Sequence, residues 1–377
     1  MNDFELITSD SELIALCSRL AGERHLAVDL EMDSLHHYRE KVCLIQVSSR
    51  TGNWLIDPLS IGDLSALAEI LGSPDRLIVM HGADYDIRSL YRDFSIEVAH
   101  LFDTMIAARL LGVTEFGLAA LLKEGFGIVL DKKFQKADWS VRPLSPEMCD
   151  YAVADTAHLL SLYDRLHRDL LATQRLGWVE EECNLVRKVR VAEKSGPLFL
   201  QCKGASRLKG RQLAVLEELL QMRERHAHRL DRPPFKVIPA DALLEAAATP
   251  PHSMEELAAV KGITPRLAGR FGSEILSAIV RAESLPADEW PRFPRTKRVE
   301  QSEGAKERLK HLKLWREAES SRLGIDPGVL APNRLLELLA EPEPHLLDVA
   351  AVSGMRRWQR ALFGCTVMET AASADTP

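Results

Sequence analysis

Cysteine is scarce in this chain, and the few residues that occur are scattered. Cys17, Cys43, Cys149, Cys183, Cys202 and Cys365 include no C-x-x-C pair. That spacing argues against a structural zinc site and against the dense bridging of a small secreted scaffold. Long apolar runs are also missing. Charges break the hydrophobic stretches every few residues, so none supplies the roughly 20 apolar residues of a bilayer-spanning helix. The opening segment, MNDFELITSD, is acidic and lacks the apolar core of a secretory leader. A reducing cytoplasm is therefore the expected compartment. Nor is there an excess of basic residues. Lys and Arg number 48 against 55 Asp and Glu, a net charge of −7. The overall balance alone gives no reason to expect a polyanion partner.

The residues present can bury real cores: 46% are hydrophobic and 27% charged. A length of 377 residues exceeds the roughly 250–300 that one core supports, so two or three domains are expected. Charge is uneven along the chain. Residues 1–200 hold 31 acids and 21 bases, and the remainder holds 24 acids and 27 bases. An acidic front half and a mildly basic back half suit a metal-dependent catalytic domain followed by a polyanion-binding region, but simple fluctuation gives the same split and is the reading that charge alone favours.

The first hundred residues alternate strands and helices. His25–Asp33, Val42–Ser48 and Trp54–Pro58 read as short β-rich runs, close enough together for antiparallel pairing. Ile61–Leu71 has helical spacing. Leu77–Met80 is a continuous apolar run, the pattern of a strand buried on both faces. Helices are predicted over Tyr85–Arg92, Thr104–Leu111 and Leu118–Glu124. A β-meander followed by βα units indicates a mixed sheet with flanking helices. After an irregular stretch at Gly125–Pro146, Ser145 and Pro146 open a helix that should run through Tyr151 and Asp155 to about Leu171. A second long helix is predicted over about Val179–Lys194, and Ser195–Arg211 reads as a linker.

The back half contains an internal repeat. Arg223-Glu224 is echoed by Arg316-Glu317, and Pro239 by Pro332. Leu243-Leu244-Glu245 is echoed by Leu335-Leu336-Glu337, Val260-Lys261-Gly262 by Val352-Ser353-Gly354, and Phe271-Gly272 by Phe363-Gly364. Each copy reads as a small all-α domain of helix, loop, helix, short helix and helix. Between them Ala287–Gln301 reads as an exposed tether with the basic residues Arg292, Arg295, Lys297 and Arg298.

Three short elements carry candidate chemistry. Asp29 and Glu31 lie two apart in a strand, which puts both side chains on one face. They interrupt an apolar segment, Leu26, Val28 and Leu30. Adjacent carboxylates repel one another and lose solvation, and a divalent cation relieves both costs. An exposed polar face of an edge strand would show the same alternation. The second element is His81-Gly82-Ala83-Asp84-Tyr85-Asp86-Ile87, directly after the buried LIVM run. It places helix-start residues at the end of a sheet, where α/β proteins commonly put their sites. Asp84 and Asp86 are both candidates here, and Asp84 also fits a plain helix cap. The third is Tyr151-Ala-Val-Ala-Asp155, whose i, i+4 spacing puts phenol and carboxylate on one helix face. Alone, that pair would read as a core tyrosine beside a partly exposed acid.

Together and in this order, the three elements resemble the DEDD 3′–5′ exonucleases of the tyrosine subclass, over about residues 1–195. Leu44-Ile45-Gln46-Val47, Phe102-Asp103-Thr104 and the Lys136–Leu144 segment with Trp139 and Arg142 resemble the ribonuclease D branch. The repeated α domains resemble HRDC modules, and the second copy lacks the Pro233–Phe235 segment of the first. The resemblance implies a ribonuclease H-like mixed-sheet exonuclease domain at 1–195, an HRDC domain at 208–283 and a divergent HRDC-like domain at 304–368. It selects Asp86 over Asp84, because the acid stands four positions after the Gly of H-G-x-x-x-D. Asp29, Glu31, Asp86 and Asp155 would be the metal-binding acids and Tyr151 the water-positioning phenol.

The implied reaction is phosphodiester hydrolysis by two divalent ions about 3.5–4 Å apart, releasing nucleoside 5′-monophosphates from an RNA 3′ end. Hard oxygen ligands point to Mg²⁺ or Mn²⁺. Asp29 would bridge both ions, Glu31 and Asp155 would hold the water-side ion, and Asp86 would help hold the other. Lys132, Lys133, Lys136, Arg142, Arg223 and Lys236 are candidate phosphate contacts, and Trp139 or Phe134 a candidate base-stacking ring; a solvated loop with an anchoring aromatic is an equal reading of the 132–142 residues. Precursor tRNA is the implied substrate, with no membrane and no obligate protein partner. A 3′–5′ exodeoxyribonuclease and a non-catalytic nucleic-acid-binding protein are the competing readings.

Overall fold

The computed structural model describes residues 3–191, 195–294, 302–341 and 354–362. The tether residues Arg295, Lys297 and Arg298, the Val352-Ser353 and Phe363-Gly364 echoes, Cys365 and the 371–377 tail lie outside the described residues.

Short β-rich runs near the start assemble into one mixed sheet. Its strands are β1 (Glu5–Ile7), β2 (His25–Met32), β3 (Val42–Ser48), β4 (Asn53–Ile56), β5 (Leu77–Met80) and β6 (Leu101–Asp103), in spatial order β1-β4-β3-β2-β5-β6. The three closely spaced runs pair antiparallel, β2 with β3 and β3 with β4. The remaining pairs, β1 with β4, β2 with β5 and β5 with β6, are parallel. β5, the LIVM run, is buried at every residue. β1 and β6 have three residues each, too few to display a period in the sequence.

Around the sheet stand α1 (Asp10–Leu20), α2 (Ser65–Leu71), α3 (Asp84–Phe94), α4 (Thr104–Leu110), α5 (Leu118–Phe126), α6 (Pro146–Ala157), α7 (Leu159–Ala172) and α8 (Leu176–Val186). The single helix predicted from Pro146 to about Leu171 is in fact two. His158, at φ −110° and ψ −2°, separates α6 from α7, and no Gly or Pro marks the break. The helix predicted over Val179–Lys194 starts three residues earlier and ends at Val186. The start of α6 is as predicted: Pro146 occupies the first turn and the Ser145 hydroxyl accepts from the Met148 amide at 3.3 Å.

The described residues form two compact units, one drawn from 1–32, 42–191 and 299–377, the other from 33–41 and 192–298. The second unit is helical: α9 (Arg211–Arg229), α10 (Pro234–Val237), α11 (Ala240–Ala248), α12 (Met254–Ala259) and α13 (Pro265–Glu283). Its core gathers Leu216, Leu219, Leu243, Phe271 and Ile275.

The second copy of the repeat supplies α14 (Glu303–Leu323), α15 (Pro327–Leu330) and α16 (Asn333–Ala340). Leu312, Leu330, Leu336, Leu339 and Trp358 bury themselves in the same apolar cluster as the sheet. Trp358 stacks on Trp178 of α8, ring centroids 4.7 Å apart and planes at 18°. Arg175 donates to the Leu323 carbonyl at 2.6 Å. Gly112, at φ +85°, lies so close to Gly324 that an added Cβ would sit 1.7 Å from its carbonyl oxygen. The repeat is visible in detail: Arg223 donates to the carbonyl of Ile238, and its echo Arg316 to the carbonyl of Ala331, each fifteen residues on.

Candidate active site

Strand register decides which side chains share the site. β2 pairs Asp29 with Gln46 and Glu31 with Leu44, and cross-strand partners lie on one face. The register shifts between Glu31 and Met32, where Cys43 is passed over, a bulge at the edge of the acidic pair. α6 covers this face. Ala152 and Val153 pack with Leu44 and Leu55, and the Thr156 and Ser48 hydroxyls meet at 2.7 Å. Docked this way, α6 delivers Asp155 to the strand acids. One carboxylate oxygen from each of Asp29, Glu31 and Asp155 lies within 4.8 Å of the others.

Asp86 arrives from the first turn of α3. It is buried and stands outside that group of three, yet its charge acts on both Asp29 and Glu31. Asp84 does not cap α3. The cap position is Ala83, and Asp84 is exposed and ion-paired with Arg88. A residue with no role assigned from the sequence holds this turn. The buried Asp103 carboxylate accepts from the amides of Gly82 at 2.9 Å and Ala83 at 2.8 Å, and from Met105 at 2.8 Å. The Phe102-Asp103-Thr104 motif was the available signal. His81 hydrogen bonds to Thr104 at 2.9 Å, and burial pushes its imidazole below the ordinary value.

The electrostatics are those of a candidate cation site. Burial, then the charges of Asp86, Asp155 and Glu31, push Asp29 well above the usual carboxylate range. Burial, then Asp155 and Asp86, raises Glu31 to about 9. Burial, then Asp103, raises Asp86 to about 8. Burial raises Asp155 to about 7, against a hydrogen bond from Tyr151 that favours its charged form. Among the described residues no lysine, arginine or histidine pairs with any of the four. Their hard oxygens and unmatched charge fit divalent cations, and no His or Cys joins the set.

Tyr151 sits one helical turn before Asp155. Its ring packs edge-on to Phe134, centroids 5.8 Å apart, and tilted against Trp139 at 6.0 Å. Burial, then the charges of Asp155, Glu31 and Asp29, push the phenol up, so it keeps its proton. A groove of about 360 Å³ lined by Leu130, Lys133, Phe134, Tyr151, Ala154 and Asp155 opens beside it.

Three predicted nucleic-acid contacts are instead internal. Trp139 is 1% exposed, packed beneath Tyr151 and unable to stack on a base. Arg142 grips the buried Asp57 through Nε at 2.6 Å and Nη2 at 2.8 Å, and donates to the Cys43 carbonyl. Arg223 is largely buried and spans to the Ile238 carbonyl. Lys136 and Lys236 are exposed.

A 3′–5′ exonuclease family model matches residues 4–171, and an HRDC domain model matches 212–279. Ribonuclease D of Granulibacter bethesdensis is 33% identical over 364 residues, covering 95% of this chain and 90% of that protein. The chain belongs to the ribonuclease D family. The crystal structure of Escherichia coli RNase D, described as an exoribonuclease involved in structured RNA processing, is similar at 27% identity and a TM-score of 0.73, over 98% of this chain and 99% of that one. The catalytic core of RRP6 from Trypanosoma brucei is 30% identical with a TM-score of 0.67, over 76% of this chain and 81% of that one. The fold is thus the ribonuclease H-like exonuclease sheet of the ribonuclease D family followed by a helical HRDC domain. The chain is a 3′–5′ exoribonuclease, a phosphodiester hydrolase of a divalent-metal-dependent family. No helix of the described residues is long and apolar enough to cross a membrane.

Proposed function

We propose that this enzyme trims RNA 3′ ends, those of precursor tRNA among them, in the cytoplasm, and releases nucleoside 5′-monophosphates. In this reading Asp29, Glu31, Asp86 and Asp155 hold two divalent cations, Mg²⁺ or Mn²⁺. The observation that carries it is the meeting of strand and helix carboxylates within 4.8 Å beside an un-ionised tyrosine. When bound, such cations supply an activated water, neutralise charge on the phosphate and stabilise the leaving 3′ oxygen.

Each residue then has a distinct task. Asp29 feels the other three carboxylates and is assigned to both cations, Glu31 and Asp155 to one, Asp86 to the other. Tyr151 retains its hydroxyl proton and so acts as a hydrogen-bond donor that orients water rather than as a base. Phe134, at the rim of the groove, is assigned to the terminal base in place of Trp139. In the helical unit, Arg232, Lys236, Arg266 and Arg270 surround a cavity of about 290 Å³, and all four are exposed. Among the described residues none of the four enters an ion pair. This cluster, rather than Arg223, is assigned to the RNA backbone.

Matched RNA and DNA 3′ ends test the reading. RNA hydrolysis with Mg²⁺ or Mn²⁺, abolished by EDTA, supports it; equal or faster DNA trimming shifts it to the exodeoxyribonuclease. RNA affinity should fall steeply with salt, and less steeply in an Arg266→Glu, Arg270→Glu variant.

A further inference from the structure

Gln46 lies at the centre of β3 and is fully buried, yet neither its Oε1 nor its Nε2 has a hydrogen-bond partner. A buried amide without a partner is costly, and such groups are few in folded proteins. Its neighbours on the same face are fixed by register. Leu55 of β4 stands on one side and Asp29 of β2 on the other. Along β3 the flanking residues on that face are Leu44 and Ser48. The leucines offer no polar group. The Ser48 hydroxyl is already engaged with Asn53 at 2.8 Å and Thr156 at 2.7 Å. Of the strand neighbours on that face, Asp29 is the one whose polar group is left for the amide, and an ionised carboxylate accepts at both oxygens.

We propose that Gln46 is a positioning residue: when a cation is bound, its Nε2, unpartnered in the metal-free chain, donates to the Asp29 carboxylate and fixes the orientation of the metal-binding oxygen. The inference rests on the reading of Asp29 as a cation ligand. It gives Gln46 a task that its burial alone does not: groups that orient a ligand without touching the metal commonly set its affinity. A purely packing role for Gln46 would leave Mn²⁺ affinity untouched on the same exchange, since replacing an unpartnered amide by an apolar side chain of similar shape is neutral or stabilising for the metal-free fold in either case.

The full-length chain with Mn²⁺ as probe separates these cases. Free Mn²⁺ is followed by electron paramagnetic resonance for the wild type, Gln46→Leu, Gln46→Met and Asp29→Asn, with thermal denaturation of each metal-free protein alongside. Gln46→Leu should leave the metal-free melting temperature unchanged or higher while weakening Mn²⁺ binding about tenfold or more. Gln46→Met repeats the measurement with a flexible side chain if leucine packs poorly. Mn²⁺ affinity within about twofold of wild type in both variants, with binding lost in Asp29→Asn, overturns the inference. Wild-type Mn²⁺ binding by Asp29→Asn would instead remove Asp29 as a ligand, and the role of Gln46 with it.

Discussion

Asp103 Oδ1 accepts the Gly82 amide at 2.9 Å, so the last residue of β6 holds the turn that launches Asp86. The other oxygen takes the Ala83 amide. Asp103→Asn keeps the shape but turns into a donor one of the two oxygens that accept from the amides of Gly82, Ala83, Met105 and Ile106. It should cost about 1–3 kcal/mol of stability and lower turnover through a displaced Asp86. Chemical denaturation with parallel kinetics checks both. Full activity with intact stability would deny Asp103 this role.

The carboxylates and the phenol should separate cleanly in kinetics. Asp29→Asn and Asp155→Asn should abolish hydrolysis while leaving the metal-free protein as stable as the wild type or more so, since each removes a crowded negative charge. Tyr151→Phe should lower single-turnover rates about a hundredfold with little change in RNA affinity. A metal-independent, active Asp29→Asn enzyme would contradict the assignment.

Stability should depend on pH in a defined window. In the folded chain Asp155, Asp86 and Glu31 hold protons up to about 7, about 8 and about 9, whereas the unfolded chain releases them near pH ~4. The folded state binds more protons over that range, so the contribution is complete below pH ~4 and is lost as pH rises through the folded values. The metal-free melting temperature should therefore fall between pH 6 and 9. The rise produced by Mn²⁺ should grow over the same interval, because the cation competes with those protons. Thermal scans with and without Mn²⁺ decide it, and a metal effect independent of pH would count against the acidic cluster as its site.

Arg142 should behave as a structural cation. Burial pushes Asp57 up, while the hydrogen bond and charge of Arg142 hold it below its ordinary value. Arg142→Ala strands that carboxylate, whose side chain is 3% exposed, and should cost about 3 kcal/mol. RNA affinity of the folded fraction should not change in a filter-binding assay.

Much of this was legible from residue patterns. The antiparallel β2-β3-β4 meander, the buried β5 and the cap of α6 follow from local spacing. So does the one-face placement of Asp29 with Glu31 and of Tyr151 with Asp155. What failed depends on packing across long sequence distances. Trp139 and Arg142 look like surface ligands in a loop rich in lysine, and only the docking of α6 on the sheet shows that both are internal. The break at His158 has no breaker residue, and β1 and β6 are too short to register a period. Gln46 read only as part of a motif, because an unpartnered amide is defined by its neighbours rather than by its own sequence.

The way the second repeat is seated has a practical outcome for handling the protein. Trp358 lies flat on Trp178, and Gly112 admits Gly324 where any larger residue would collide. A protease that nicks the connection between Pro294 and Ser302 therefore severs a covalent link without releasing the fragment. The cleaved enzyme should migrate as two bands on a denaturing gel and elute as one peak from a sizing column.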